Sequence, residues 1–208
     1  MVNLSGMQGE AGGLRQKHLL GVFCSQRSTL NHLLPLARLT DFKTGNRAWS
    51  DRRLPMPNVP GLRSCYHKVG RLIYFGRMLD KIRLHAAGQL PRAYHDYLGD
   101  AQFFTLDGRC CRFLGVSHSE IQRRALAGET DECVLNWAHT HGTPRTDEEC
   151  HVWNRFIAKL GWRDERSHLL PQRIQESGLT GKPIETLIDH IEFDEGRDPV
   201  AERAWEKI

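Results

Sequence analysis

From Met56 onward, runs of apolar residues at helical spacing are each followed by a glycine: Gly88, Gly115, Gly128, Gly142, Gly161 and Gly178. The residue just past a helix C-terminus commonly takes the left-handed conformation that glycine enters without steric cost. The pattern therefore reads as a succession of short helices. The starts agree. Ser117 with Glu120, and Thr146 with Glu149, fit the capping box, in which a hydroxyl and a carboxylate satisfy free amides reciprocally. Thr130 ahead of Asp131 and Glu132 is a cap followed by acids that complement the helix dipole. The expected helices are 68–87, 107–114, 118–127, 131–141, 147–160, 165–177 and 184–193, with Pro171 kinking or splitting the sixth. A short amphipathic tail from Asp198 would carry Val200, Ala204, Trp205 and Ile208 on one face. No stretch alternates as a strand does. The expected fold class is all-α, a compact bundle of about seven short helices. Its expected core outside the first helix is Trp137, Trp153, Phe156, Ile157, Leu160, Trp162, Leu187, Ile188 and Ile191.

The run from Val69 to Gly88 sets Val69, Leu72, Ile73, Phe75, Leu79, Ile82, Ala86 and Ala87 in one stripe at about 100° per residue. Asp80 projects beside Ile73, Gly76 and Leu84, with Arg83 one turn further on. Burying an unpaired carboxylate is costly, so Asp80 needs a neutralising partner or a site to serve. Arg83 can meet it at i, i+3, and Arg77, Arg109 or Arg112 can join them. The structural expectation is an ion-pair network fastening this helix to the rest of the chain. The functional expectation is a carboxylate base or ligand-holding acid in a cleft.

The 208-residue chain holds 29 Lys and Arg against 25 Asp and Glu. The basic surplus belongs to residues 1–55, with eight bases and three acids; residues 56–208 hold 21 bases and 22 acids. A near-neutral body argues against an electrostatic nucleic-acid footprint there. Residues 1–55 show no sustained period, and Pro35 cuts the run from Leu30 to Leu39. They are expected to be a disordered basic leader, or an over-extended start with translation beginning at Met56. Six cysteines, Cys24, Cys65, Cys110, Cys111, Cys133 and Cys150, follow no secreted-scaffold spacing, and a reducing cytoplasm is expected. The apolar run from Leu19 to Cys24 is broken by Gly21 and too short for a signal core, and no stretch is long enough to span a bilayer. The expectation is a soluble cytoplasmic protein with no membrane contact.

The segment Val69-Gly70-Arg71-Leu72-Ile73-Tyr74-Phe75-Gly76-Arg77-Met78-Leu79-Asp80-Lys81-Ile82-Arg83 resembles the opening helix of an uncharacterised bacterial family, the domain-of-unknown-function family numbered 5069. The likeness continues through Leu106 to Val116, Thr130-Asp131-Glu132, Val152-Trp153-Asn154, Gly161-Trp162-Arg163-Asp164 and Glu176-Ser177-Gly178-Leu179. It spans residues 62–197, most of the body and none of the leader. The family brings no activity, cofactor or catalytic residues. The resemblance thus implies a compact cytoplasmic domain over residues 56–197, flanked by the leader and a C-terminal tail over 198–208.

The segment Pro91 to Asp107 carries Tyr94, His95, Asp96, Tyr97, Asp100, Phe103 and Phe104 with no clean helical period. Connections of that length are uncommon unless functional or flexible. It runs into Arg109 near a helix N-terminus, where free amides and the dipole attract anions, so Arg109 can complete an anion site. A metal site on Cys133, His139, His141, Cys150 and His151 is disfavoured, because helical geometry points these side chains apart; no metal is expected. Cys110 and Cys111, between Arg109 and Arg112, would have lowered thiol pKa values if they were nucleophiles; packed thiols are the expectation. There is no P-loop, dinucleotide fingerprint or serine elbow, and no cofactor is indicated.

The leading functional expectation is a small non-catalytic helical module binding a protein partner or a small molecule. The alternative is an enzyme on a small anionic substrate, with Asp80 or His95 as acid/base and Arg109 as anion clamp. Arg77, Arg83, Tyr94, Tyr97 and Asp107 complete the set of candidate ligand contacts. Nucleic-acid binding is expected only through the basic leader. An enzyme needs Asp80 and Arg109 converging on an accessible cavity, whereas a module buries them in a closed network.

Overall fold

The computed structural model describes Met56 and residues 58–203. The leader, and the tail residues Ala204, Trp205 and Ile208, lie outside the described residues.

The described chain is all-α apart from one small hairpin. Strands β1 (Lys68–Val69) and β2 (Leu72–Ile73) pair antiparallel, with Val69 opposite Leu72, around a two-residue turn at Gly70 and Arg71. Gly70 has φ +53°, the left-handed conformation that such tight hairpin turns demand. The single helix expected over 68–87 is thereby corrected: helix α1 runs only over Phe75–Ala86. Val69, Leu72 and Ile73 mimic helical spacing at i, i+3 and i+4, and two-residue strands are too short to display alternation. The hairpin edge is satisfied from helix α5 (Asp147–Ala158). Asn154 accepts from the Ile73 amide (3.0 Å) and donates to the Arg71 carbonyl (2.8 Å), and the Trp153 indole donates to the Ile73 carbonyl (3.3 Å).

A 3-10 helix over Arg92–Tyr97 follows α1, and gives order to part of the segment that lacks helical period. Helices α2 (Leu106–Leu114), α3 (His118–Leu126) and α4 (Asp131–His141) come next, then α5. The caps read from sequence are made: Ser117 with Glu120 and Thr146 with Glu149 close both boxes, and Thr130 accepts from the Cys133 amide. Helix α6 covers Leu169–Glu176, so Pro171 neither kinks nor splits it. Pro171 is the third helical residue, in the first turn, where amides have no intrahelical acceptor to lose. Thr186 and Asp189 box the start of α7 (Leu187–Asp194), and Asp198 caps α8 (Pro199–Glu202).

Helix α1 packs against α3 and α4, and residues 75–82 are buried on every side of it. A helix apolar all round would suit that position; here Arg77, Asp80 and Lys81 are buried too. Trp137, Trp153, Ile157, Leu160, Leu187 and Ile188 are in the core as expected, and Ile191 packs against it half-buried. Phe156 and Trp162 are not: they are 42% and 45% exposed.

Candidate functional site

The buried charges of α1 are each neutralised by a residue distant in sequence. Asp80 takes Arg63, through Nε to Oδ2 and Nη2 to Oδ1 (both 2.7 Å), with the Arg63 amide donating to Oδ2 at 3.0 Å. The same Arg63 Nη2 lies 2.6 Å from Asp131, whose other oxygen takes Arg83 at 2.7 Å. The chain Asp80–Arg63–Asp131–Arg83 fastens α1 to the start of α4. Burial opposes the charge on Arg63, but Asp80 and Asp131 overcome it and raise its pKa. Gly76 is what lets the guanidinium in. Its carbonyl accepts from Arg63 Nη2 (2.9 Å), and a Cβ there would meet Arg63 Cζ at 2.8 Å.

Lys81, one residue on, gives all three ammonium protons to acceptors: Asp107 Oδ1 (2.7 Å), the Tyr97 carbonyl (2.7 Å) and the Tyr74 hydroxyl (3.1 Å). Tyr74 in turn donates to Asp107 at 2.8 Å, and the Gly99 amide to the other Asp107 oxygen at 3.0 Å. Tyr74 caps α1 in a left-handed conformation, φ +72°, held there by these bonds. Burial lowers the Lys81 pKa, with Asp107 opposing it. His118 stands by, its Nε2 3.9 Å from Asp107 and without a hydrogen-bond partner among the described residues.

Arg77 makes a third cluster at the chain's far end. It grips Glu195 with both nitrogens (2.9 and 2.5 Å), Tyr94 donates to the same carboxylate (2.9 Å), and Arg197 joins it to Glu192. Between the Lys81 and Arg77 clusters lies a cavity of about 40 Å³, with Cys65 and Tyr74 among its walls. That is room for a few waters.

The surface is different in kind. Phe103, Phe104, Val152, Phe156 and Trp162 are exposed large apolar residues, and cations lie over the aromatic rings among them. Arg112 covers Phe103 (4.5 Å), Arg166 covers Phe104 (4.8 Å), Arg109 covers Phe156 (5.3 Å), and Lys159 and Arg163 flank Trp162. Phe103 and Phe104 meet edge to face at 5.0 Å, and Arg109 reaches Glu165 in the α5–α6 loop at 4.0 Å, so the pieces adjoin. Trp162 is a ridge between two open concavities. One, about 410 Å³, has Val152, Phe156 and Lys159 in its walls; the other, about 720 Å³, has Leu170, Pro171 and Ile174.

The family model described as Domain of unknown function (DUF5069) matches residues 59–197. The chain belongs to that family. No curated protein matches it. Every member of the three buried clusters, and all of the aromatic and basic surface, falls within the DUF5069 domain. Met56 and α8 fall outside it.

The DUF5069 domain places the sequence-derived candidates as follows. Arg77 and Tyr94 come together on Glu195; Tyr97 and Asp107 come together on Lys81. Asp80 and Arg83 do not pair directly but share the network through Arg63 and Asp131, and Arg109 and Arg112 take no part in it. His95 sits apart, its Nε2 3.0 Å from the Leu90 carbonyl and its ring edge-on to His85. Among the described residues, Arg109 and Asp80 have no partner in common. Sequence reasoning missed Arg63, Lys81, Glu192, Glu195 and Arg197. For Lys81 a signal existed, a second charge beside Asp80 on a helix with few exposed positions; the pairing of Arg77 with Glu195, 118 residues on, left none.

Cys110 and Cys111 are not activated as nucleophiles. Burial raises Cys110 well above its ordinary value and pushes Cys111 up to about 12. Cys65, Cys110, Cys111 and Cys150 are packed as small apolar residues, whereas Cys133 is exposed. On α5, Cys150 faces the core and His151 faces away. No described helix is long and apolar enough to cross a membrane.

Proposed function

We propose that this DUF5069 domain is a non-catalytic interaction module, and that it docks an acidic, apolar segment of a protein partner on the face built from residues 103–112 and 151–166. One observation carries the reading: five of the seven exposed large apolar side chains of the described residues lie on that face. Exposed apolar residues scattered singly need no explanation, whereas a cluster does. Trp, Phe and Arg are also the residues that dominate the centres of protein interfaces. Arg109, Arg112, Lys159, Arg163 and Arg166 against Asp164 and Glu165 make the face basic in a body that is neutral overall, which favours an acidic partner over nucleic acid.

The closed state of the buried clusters favours a module over an enzyme. Asp80 is held on two oxygens by Arg63, and Lys81 has no donor left over. An acid/base group needs a free position towards substrate. The setting we propose is a bacterial cytoplasm, where the four buried free thiols would persist reduced.

Panning a random peptide library on the purified chain tests the reading. Enriched peptides should combine Asp or Glu with Phe, Leu or Trp, and should lose binding to Trp162→Ala and Phe156→Ala. Failure to enrich, or enrichment indifferent to both substitutions, would overturn it.

A further inference from the structure

We propose that His118 is a proton-sensitive latch, whose protonation releases residues 98–104 from α2 and α3. Phe103 and Phe104 go with that segment, so the latch regulates the docking face; this consequence rests on the interaction reading above. His118 opens α3 and is only 7% exposed, yet its Nε2 is buried without a hydrogen-bond partner among the described residues. The atom it faces is Asp107 Oδ2, 3.9 Å away on a side chain with no exposure at all. That distance is about an ångström beyond a charge-assisted hydrogen bond. Buried polar atoms are rarely left unpaired, and one beside a carboxylate is poised to respond when it gains a proton.

The charged groups around the ring come from each element packed against it: Asp107 from α2, Asp100 from the loop before it, and Lys81 from α1. Asp107 is already balanced. Its Oδ1 takes Lys81 and the Tyr74 hydroxyl, and its Oδ2 accepts from the Gly99 amide at 3.0 Å. Asp100 Oδ2 accepts from the backbone amide of His118 at 3.0 Å. The Tyr74 hydroxyl and the Cys111 thiol, both near Asp107, stay protonated because burial raises their pKa values. Burial keeps the His118 ring neutral as well, against the pull of Asp107 and Asp100.

Through these groups the ring and the loop hold one another. Gly99 has φ +86°, and a Cβ on it would lie 3.7–4.0 Å from three atoms of the His118 ring, so its bare backbone rests there. The Thr105 hydroxyl donates to the Gly99 carbonyl at 2.8 Å, and Arg112 donates to the Phe103 carbonyl at the surface. A neutral ring leaves this balance intact, and an imidazolium does not. It adds a second cation to a carboxylate that already serves Lys81, at a helix N-terminus whose dipole repels positive charge. To pair with Oδ2 the ring must advance into Gly99. To be hydrated it must admit water where the cover is thinnest, at the exposed residues 100–104, since Lys81 and Asp107 are buried. Either route displaces Gly99 and breaks its bond to Asp107.

The test is NMR on the full chain, titrated from about pH 7.5 to about pH 5 at constant ionic strength. The carbon-bound ring protons report the state of His118, and amide order parameters report residues 99–104. Those order parameters should fall from about 0.85 to below about 0.6 as His118 protonates, while that of Met78 on α1 holds. In His118→Phe, which keeps a ring and gives up the proton, the loop should stay ordered throughout; His118→Gln serves the same end should the larger ring disturb the fold. A loop that stays ordered while His118 titrates would overturn the latch, as would a ring that remains neutral until the whole chain unfolds. Loosening that persists in both variants would also overturn it and move the response to another group, Asp100 first. Library peptides should weaken about tenfold below the His118 midpoint in wild type and hold in His118→Phe; equal weakening in both would sever the latch from the face. The two readings fail separately. A loop released on protonation with no peptide enriched leaves the latch and removes the module. Enriched peptides on a chain whose loop never loosens do the reverse.

Discussion

Asp80→Asn keeps the shape of the side chain but leaves Arg63 without half of its counter-charge. Breaking a fully buried pair typically costs about 3–5 kcal/mol. Arg63 is a quarter exposed and retains Asp131, so the expected loss in urea unfolding is about 2 kcal/mol. An unchanged unfolding midpoint would mean that the pair is ornamental. His118 gives the acid response. Burial lowers its folded pKa below the ordinary 6.5, against the pull of Asp107 and Asp100. As pH falls from 6.5 towards that folded value, the unfolded chain takes up a proton that the folded chain refuses, and stability falls. The half-buried His139 shifts the same way and adds to the slope. Scanning calorimetry should show the melting temperature dropping below pH 6.5, and His118→Gln should flatten that drop. A wild-type profile flat through the window would contradict the shift.

At the scale of elements, Asn154 does for the hairpin what a third strand would. Its amide group pairs with both the Ile73 N–H and the Arg71 carbonyl. Asn154→Ala leaves the Ile73 amide buried and unpaired, while the Arg71 carbonyl, on an exposed residue, can turn to water. The expected cost is about 2 kcal/mol, within the range for one unsatisfied buried group and its lost bonds. Hydrogen exchange at Ile73 should accelerate with it. Exchange no faster than in wild type would show that α5 holds the hairpin through Trp153 and packing alone. Two-residue strands have no stability of their own, so the hairpin exists because α5 completes it.

For the whole molecule, the decisive contrast is between two tryptophans nine residues apart. Trp153 is buried, stacked on Phe113 at 4.7 Å, and donates to the Ile73 carbonyl. Trp153→Ala should cost about 3–5 kcal/mol. Trp162 is almost half exposed, so Trp162→Ala should leave the unfolding free energy within about 1 kcal/mol of wild type while abolishing peptide binding. A large stability loss in Trp162→Ala would make it a structural residue and weaken the docking face. The same contrast separates the two ionic systems. The clusters on Asp80, Lys81 and Arg77 tie α1 to residues before and after it; Arg109, Arg163 and Arg166 lie over aromatic rings of the surface.

Helix identity was local and therefore readable. Capping boxes at Ser117 and Thr146, and glycines such as Gly115 and Gly128 in the left-handed conformation, are determined within a few residues of chain. The same locality exposed Asp80 as a charge in an apolar stripe that required an answer. Which answer was another matter. Nothing in the vicinity of Asp80 singles out Arg63 over Arg83, and nothing near Arg77 points to Glu195, 118 residues on. Phe156 and Trp162 carry the same apolar signal as Ile157 and Leu160, and only the packing of α5 and of the turn after it sends one pair outward and the other inward. By itself the sequence determined where short helices begin and end, and that a buried carboxylate needed a cation, because those depend on neighbouring residues and on the cost of desolvation. The tertiary structure alone decided the partners of each charge and the composition of the exposed face, because both depend on which distant segments come into contact.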